Sequence, residues 1–363
     1  MLPLALPLLL ATQSISGGWT PSAGVAVLQV EVMAVGRISV EGRVSRVRHC
    51  SLGDLQVWAT AHDLSSIHVS ISRGASSGSS LKSATLLADA TLVGVLCRPV
   101  PTIVLSRRQG TVLQEIYIRD GGFHEGSTYT STSAGRSLLG LVASGAGFLV
   151  FGGEDDGRAT FGVVDRQAKS VAWNHPSAIK GIVSELLPGS SETSWIGVSR
   201  VQALQGQGST SVFSIGFERG SSRLIGRPLA VDLESSSAWA TCGPGCVLVV
   251  PASTPQTPQQ IPRLFREDGT GQVLPTAPVG TQIISTVPVI VAGSLCLLDV
   301  SVDTVGCRGG GKVRVAEPGE YVLSSVVVQA HGDLLRVRGV VRNLTSRLGR
   351  ESLLLSATLR VKR

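Results

Sequence analysis

Aromatic side chains are scarce: five Trp, three Tyr and seven Phe make up 4% of 363 residues. Sites that stack sugar rings, quinones or unpaired nucleic acid bases lean on aromatic platforms. The scarcity weighs against those chemistries and against nucleic acid as a partner. Asparagine is rarer still, occurring only at Asn174 and Asn343, and arginine greatly outnumbers lysine. Both biases fit a gene rich in G and C, a plainer source for the +7 formal charge than a dedicated polyanion surface. The basic balance still leaves anionic glycans and acidic proteins as candidate partners.

Helical periodicity is also missing. No window sustains apolar residues at spacings of three and four, and the one helical candidate, Ile179 to Leu187, is short and runs into Pro188-Gly189. Beyond the N-terminus no apolar stretch approaches the ~20 residues of a membrane-spanning helix. No cysteine pair has the two-residue spacing of a zinc knuckle. No cofactor motif stands in its required context, so no cofactor is expected.

What is present is a repeat. A short hydrophobic strand, a tight turn and a second strand return about seven times at roughly 46 residues, a period of blades or solenoid coils. The units begin at Val47-Arg48-His49-Cys50, Leu92 to Cys97, Leu139 to Ala143, Trp195 to Val198, Ala238 to Cys242, Val287 to Val291 and Val326 to Ala330. Second runs follow, such as Thr102 to Leu105, Phe148 to Phe151 and Leu334 to Val337. Ahead of them, Val25 to Val32 and Arg37 to Val40 read as a hairpin that completes the last unit of a closed ring, removing exposed strand edges. Ser72 to Ser80, Gly121 to Gly135 and Pro251 to Pro262 read as surface loops.

In period and strand grammar the chain resembles the β-propeller class, with about seven four-stranded blades in one domain spanning residues 17–363. It lacks the Trp-Asp dipeptide of WD repeats. Phe148 to Gly153 with Val163-Val164-Asp165 and Trp173 is similar to a single kelch blade, and Glu154 to Phe161 resembles an Asp-box turn with an extra residue, read here as an Asp-Gly hairpin. Unequal repeat spacing keeps a solenoid or sandwich array as the competing architecture.

The apolar run Leu2 to Ala11, with small residues at Ser14 and Ser16, reads as a signal peptide over residues 1–16 although a basic start is missing. Export implies a secreted or extracellular protein, periplasmic in a Gram-negative bacterium. Six cysteines fit an oxidising compartment, because an even number can pair completely. Cys242 and Cys246 face each other across Gly243-Pro244-Gly245, Cys296 and Cys307 join neighbouring strands, and Cys50 and Cys97 stand at matching positions one repeat apart. The alternative is six buried thiols in a cytosolic protein.

Motifs with catalytic associations lack their context. Gly74 to Gly78 matches G-x-S-x-G with no helix after it. Gly306 to Lys312 has the glycines and lysine of a phosphate loop, but Val313 replaces the Ser or Thr, and a strand follows. His62-Asp63 and His124-Glu125 are adjacent in sequence, and neighbours on a strand point to opposite faces. Asp155, Asp156, Asp299 and Asp303 lack the glycine and glutamate of a calcium loop and read as solvated turn formers. Asn343-Leu344-Thr345 is a glycosylation sequon.

The surface feature of note is C-terminal, where Arg336, Arg338, Arg342, Arg347, Arg350, Arg360, Lys362 and Arg363 meet only Asp333 and Glu351. Arg336, Arg338 and Arg342 are the candidate ligand contacts, with a charged edge strand as the other reading. The expected function is a non-catalytic module binding a protein or an anionic glycan. The alternative is a glycan-active enzyme, sialidase-like or of another glycoside-processing type. Its mark would be a channel holding two or more carboxylates beside His or Tyr.

Overall fold

The computed structural model describes residues 23–362 except 42–43, 53–54, 63–65, 74–81, 88–89, 98–99, 108–111, 121, 131–141, 146, 175–177, 202–207, 219–222, 235, 252–260, 277–284, 318–320 and 344–350. The expected leader and the Gly74 to Gly78 motif lie outside the described residues.

The chain forms a seven-bladed β-propeller. After β1 (Gln29–Glu41), the first blade is β2 (Val44–Leu52), β3 (Leu55–His62), β4 (Ser66–Arg73) and β5 (Lys82–Leu87). The second is β6 (Thr91–Leu96), β7 (Thr102–Arg107), β8 (Val112–Arg119) and β9 (Gly122–Thr130); the third is β10 (Val142–Gly145), β11 (Phe148–Asp155), β12 (Arg158–Asp165) and β13 (Ser170–Asn174). The fourth holds β14 (Ile182–Pro188), β15 (Ser194–Val201), β16 (Ser209–Glu218) and β17 (Arg223–Glu234), and the fifth β18 (Ser236–Gly243), β19 (Cys246–Pro251), β20 (Arg263–Arg266) and β21 (Gly271–Val273). The sixth is β22 (Ser285–Val291), β23 (Ser294–Val300), β24 (Thr304–Cys307) and β25 (Val313–Arg314). The seventh is β26 (Tyr321–His331), β27 (Leu334–Asn343) and β28 (Glu351–Lys362), completed from the other end of the chain by β1.

That completion is antiparallel, from Gln29↔Lys362 to Glu41↔Glu351, with one bulge between Val32 and Ala34. The segment read as a hairpin is therefore mostly one long strand, because its partner β28 is nearly as long and pairs along almost all of it. Two further expectations are corrected. Ile179 to Leu187 is not helical: it contributes β14, the innermost strand of the fourth blade, and Trp195 to Val198 belongs to the second strand. Gly122–Thr130 is the outer strand of the second blade and not a loop, hydrogen-bonded along β8.

Inner strands are buried on both faces because each is clamped between adjacent blades. They read as continuous apolar runs, fully buried along β22 and nearly so along β6, β7, β11 and β23. Outer strands such as β21 are exposed. The Asp-Gly expectation holds: Asp156 (φ 51°) and Gly157 (φ 72°) form a two-residue turn between β11 and β12, the left-handed pair a twisted hairpin needs.

Apolar clusters fill the interfaces between the first and second, second and third, third and fourth, and fourth and fifth blades, and one continuous cluster joins the fifth, sixth and seventh. Among the described residues no such cluster lies between the seventh and first. All three expected disulfides are present. Cys50–Cys97 ties the inner strands of the first two blades, Cys242–Cys246 closes the β18–β19 hairpin, and Cys296–Cys307 links β23 to β24.

Blade packing is tight enough to require glycine at particular points. A Cβ on Gly152 would stand 2.6 Å from Cγ1 of Val183 in the next blade, a side chain with no exposure and nowhere to retreat. Gly152→Ala is expected to cost about 1–3 kcal/mol by overpacking. Gly216, with nothing within 4 Å of its would-be Cβ, should tolerate alanine. Equal urea midpoints for the two variants would contradict this account of the interface.

Candidate functional site: the propeller axis

The first and fourth blades stand on opposite sides of a seven-membered ring, so side chains they bring together meet at the axis. Arg48 on β2 and Glu185 on β14 are such a pair, 5% and 2% exposed, each sensing the other's charge. Trp239 on β18 of the fifth blade joins them, its indole Nε1 donating to Glu185 Oε2 at 3.1 Å. The guanidinium of Arg200, on β15, lies 4.4 Å over the centre of the Trp239 ring.

Bulges create this arrangement. In β14 the register shifts between Val183 and Glu185, so Ser184 is the extra residue, with its hydroxyl donating to Val198 O at 3.1 Å. Such a bulge re-aims the side chain beside it. In β6 the shift falls between Leu92 and Gly94. The Leu92 and Val93 carbonyls there accept from two arginines of β2, Arg46 Nη1 at 2.9 Å and Arg48 Nε at 2.8 Å. Shifts also occur near the beginnings of β2, β18 and β26, so five of the seven innermost strands are irregular toward the same mouth of the axis.

Electrostatically the axis is cationic. Burial disfavours the charged form of Arg46 and Arg48, with the two arginines also repelling each other, and pushes Arg200 down to about 10. Burial raises the Glu185 carboxyl to about 8, against the opposing pull of the Trp239 hydrogen bond, the Arg48 charge and the Leu186 N–H. Around neutrality this carboxyl is largely protonated, while a guanidinium keeps its charge.

Charged groups elsewhere are internally paired. Glu115 on β8, fully buried, receives the Tyr117 and Tyr129 hydroxyls at 3.1 and 3.4 Å and pairs with Arg166 of the third blade at 2.9 Å. It straps two blades together, joining β8 to the turn that follows β12. Asp299 on β23 is not a solvated turn former: it is 3% exposed and bound to Arg308 at 2.7 Å, with Thr286 bonded to both. Asp303 pairs with Arg314 at 3.2 Å. The phosphate-loop look-alike is a glycine-rich turn between β24 and β25, and the carbonyl of Leu28 occupies the space beside Gly310. His124 and Glu125 are exposed on β9.

Arg336 and Arg338 share a face of β27, and Arg342 stands at the same register parity. The strand is hydrogen-bonded on both sides, by β26 and β28, so the charged-edge reading is corrected. Arg338 reaches the first blade. It lies 4.8 Å over the Trp58 ring and donates to Ser356 Oγ at 3.2 Å; Trp58 in turn stacks on His49, ring centres 4.3 Å apart. Gln329 lies 3.1 Å from His49 Nε2. Burial, and then the Arg338 charge, push the His49 imidazole down to about 3. Arginine, histidine and tryptophan thus occupy the interface that has no apolar cluster.

Sequence reasoning missed Arg46, Arg48, Glu185 and Arg200. A usable signal existed: Glu185 is a lone acid inside the apolar run Ile182 to Leu187, and Arg46-Val47-Arg48 repeats the spacing of Arg336-Val337-Arg338.

By sequence, no family model and no curated protein matches the chain. By fold it is similar to solved β-propellers. The WD40 domain of Toxoplasma gondii coronin superposes with a TM-score of 0.50 at 10% identity, over 93% of this chain and 90% of that one. A puromycin hydrolase S511A mutant complexed with PGG gives 0.51 at 14% identity, over 85% of this chain and 53% of that enzyme, so the likeness spans about half the enzyme's length. Trypanosoma rangeli sialidase in complex with the inhibitor DANA gives 0.41 at 12% identity over 90% of this chain and 60% of that one. The first two likenesses agree with the seven-bladed β-propeller the sheets define and reach no further than the fold.

The axial carboxyl makes stability pH-dependent. A folded-state value near 8 against about 4.5 unfolded means Glu185 favours the folded state fully below pH 4.5, and that this contribution is lost as pH rises toward 8. His49 acts with the opposite sign, its contribution present above pH 6.5 and lost as pH falls toward 3. Between pH 6.5 and 8, of these two groups Glu185 alone changes its contribution, so the melting temperature should fall more steeply there in the wild type than in Glu185→Gln. In acid, His49→Gln should remove part of the loss seen between pH 6 and 4. Parallel melting curves for wild type and Glu185→Gln across the upper window would refute the burial of an ionisable carboxyl at the axis.

Proposed function

We propose that this protein is an exported, non-catalytic propeller that binds a protein or an anionic glycan. One observation carries the reading. Among the described residues the axis, where an enzyme of the two-carboxylate kind would need both groups flanking a scissile bond, has a single carboxyl, hydrogen-bonded to an indole with arginines nearby. Two tyrosines of the kind a sialidase-type site would use, Tyr117 and Tyr129, instead bond Glu115, which is fully buried on β8, the third strand of its blade, and already holds Arg166. Three disulfides fit an oxidising compartment and support export.

The rigid disc would serve as a platform, with the Arg336, Arg338 and Arg342 face at the junction of the seventh and first blades as the contact patch. Arg338 is engaged with Trp58 and Ser356, so truncating it also hollows the junction. Arg336, half-buried on the same strand, is the position probed. A panel of sulfated and unsulfated glycans offered to the non-reduced protein should give binding that weakens with salt and falls about tenfold in Arg336→Glu, the scale of one close charge reversal. Turnover of fluorogenic glycosides, abolished in Glu185→Gln, would replace this reading with the enzymatic one.

A further inference from the structure

Enclosed arginines are compensated in different ways among the described residues; Arg338 lies over the Trp58 ring and donates to Ser356. Arg308 and Arg166 each hold a carboxylate, Asp299 at 2.7 Å and Glu115 at 2.9 Å. The axial arginines do not. Arg46 and Arg48 donate to the neutral carbonyls of Leu92, Val93 and Val47, and Arg200 rests on an indole face. Arg48 Nη2, fully buried, has no hydrogen-bond partner among the described residues. A buried cation with unused donors and no counter-ion is costly to maintain, and two of them on one strand repel each other. Among the described residues Glu185 is the only acid at the axis, and its carboxyl is committed to Trp239.

Arg46 stands near the beginning of β2, and Arg200 pairs in register with Ile182 at the beginning of β14. Both are only partly buried, whereas Arg48 and Glu185 lie deeper. The innermost strands begin at one mouth of the axis, so donors are graded inward from that mouth.

We propose that this mouth is an oxyanion site, in which the carboxylate, sulfate or phosphate group of a small molecule or chain end is bound by Arg46 and the free Nη2 of Arg48, flanked by Arg200. The carbonyls freed by the β6 bulge hold both guanidinium groups in place before the anion arrives, which is the preorganisation such recognition requires. Binding involves no covalent step. The site is separate from the contact patch on β27 and does not rest on the binding role proposed above.

Glu185 regulates the site. The charged and polar groups around it are Arg48 from β2, Trp239 from β18 with Arg200 stacked upon it from β15, and the Leu186 N–H of its own strand. While protonated, it leaves Arg48 uncompensated and the anion is favoured. Once ionised, as pH rises through about 8, it becomes the internal counter-ion and competes with the ligand.

The test uses the whole, non-reduced chain and inorganic sulfate, whose charge does not change between pH 6 and 9, titrated calorimetrically against chloride at matched ionic strength. Saturable binding of one sulfate per chain is expected, weakened at least tenfold in Arg46→Gln and unchanged in Arg263→Gln, an exposed arginine of β20 remote from both sites. Affinity should drop about tenfold between pH 7 and 9 in the wild type, a reasonable size for one new charge in a partly desolvated site, and stay level in Glu185→Gln. Arg48→Gln should abolish binding; if that variant does not fold, Arg46→Gln carries the test. Equal responses to sulfate and chloride, or loss of binding in Arg263→Gln with Arg46→Gln unaffected, would overturn the proposal. A carboxylate probe and a phosphate monoester compared with sulfate then identify the preferred oxyanion geometry.

Discussion

Hydrogen bonds between β1 and β28 join the two ends of the chain, and the ring exists only while they hold. Every blade packs its two faces against neighbours, so an unclosed seventh blade would leave β28 as a bare edge and remove the lateral support of the sixth. Closure also creates the axis: Arg48 and Glu185 share an environment only because the first and fourth blades are held across a ring of fixed size. The ion pairs decorating the closure, such as Lys362 with Glu31, are exposed and add little. The backbone ladder and the apolar residues beneath it, Leu28, Val30, Leu359 and Val361, carry the joint.

The ring is not uniform around its circumference. Six interfaces bury aliphatic and aromatic side chains, while the seventh stacks Arg338 on Trp58 and Trp58 on His49. A cation–π contact of this kind contributes roughly 0.5–2 kcal/mol depending on desolvation, less than a cluster of fully buried aliphatic residues. The disulfide between Cys50 and Cys97 ties the first blade to the second, on the side away from this polar junction. The first blade is therefore fixed covalently on one face and held by a few polar groups on the other.

Much of the architecture was legible because inner strands and turns obey local rules. Leu92 to Cys97 and Val287 to Val291 are unbroken apolar runs, Asp156-Gly157 specifies its own turn, and Cys50 and Cys97 recur at one repeat length. The fourth blade misled because Ser184 and Glu185 interrupt the apolar run at a bulge, giving a short segment ending in Pro-Gly that imitates a helix. The axial cluster was illegible for a different reason. Its members come from three blades and are brought together by closure and by register shifts, neither of which leaves a pattern in neighbouring residues. The C-terminal arginines stood out because they are dense in sequence, yet Arg338 turns out to be packed between blades.

The pairing of Gln29 with Lys362 also bears on biosynthesis. A chain made from its N-terminus must carry β1 unpaired while six blades are completed, since the partner strand β28 follows all of them in the sequence. Contacts between segments so far apart in sequence form slowly. Blades one to six can assemble as hairpins meanwhile, with Cys50 and Cys97 available for oxidation early. Until the last strand emerges, both β1 and the face of the sixth blade remain exposed to other chains, so crowded synthesis favours exchange of β1 between two molecules as the characteristic misassembly.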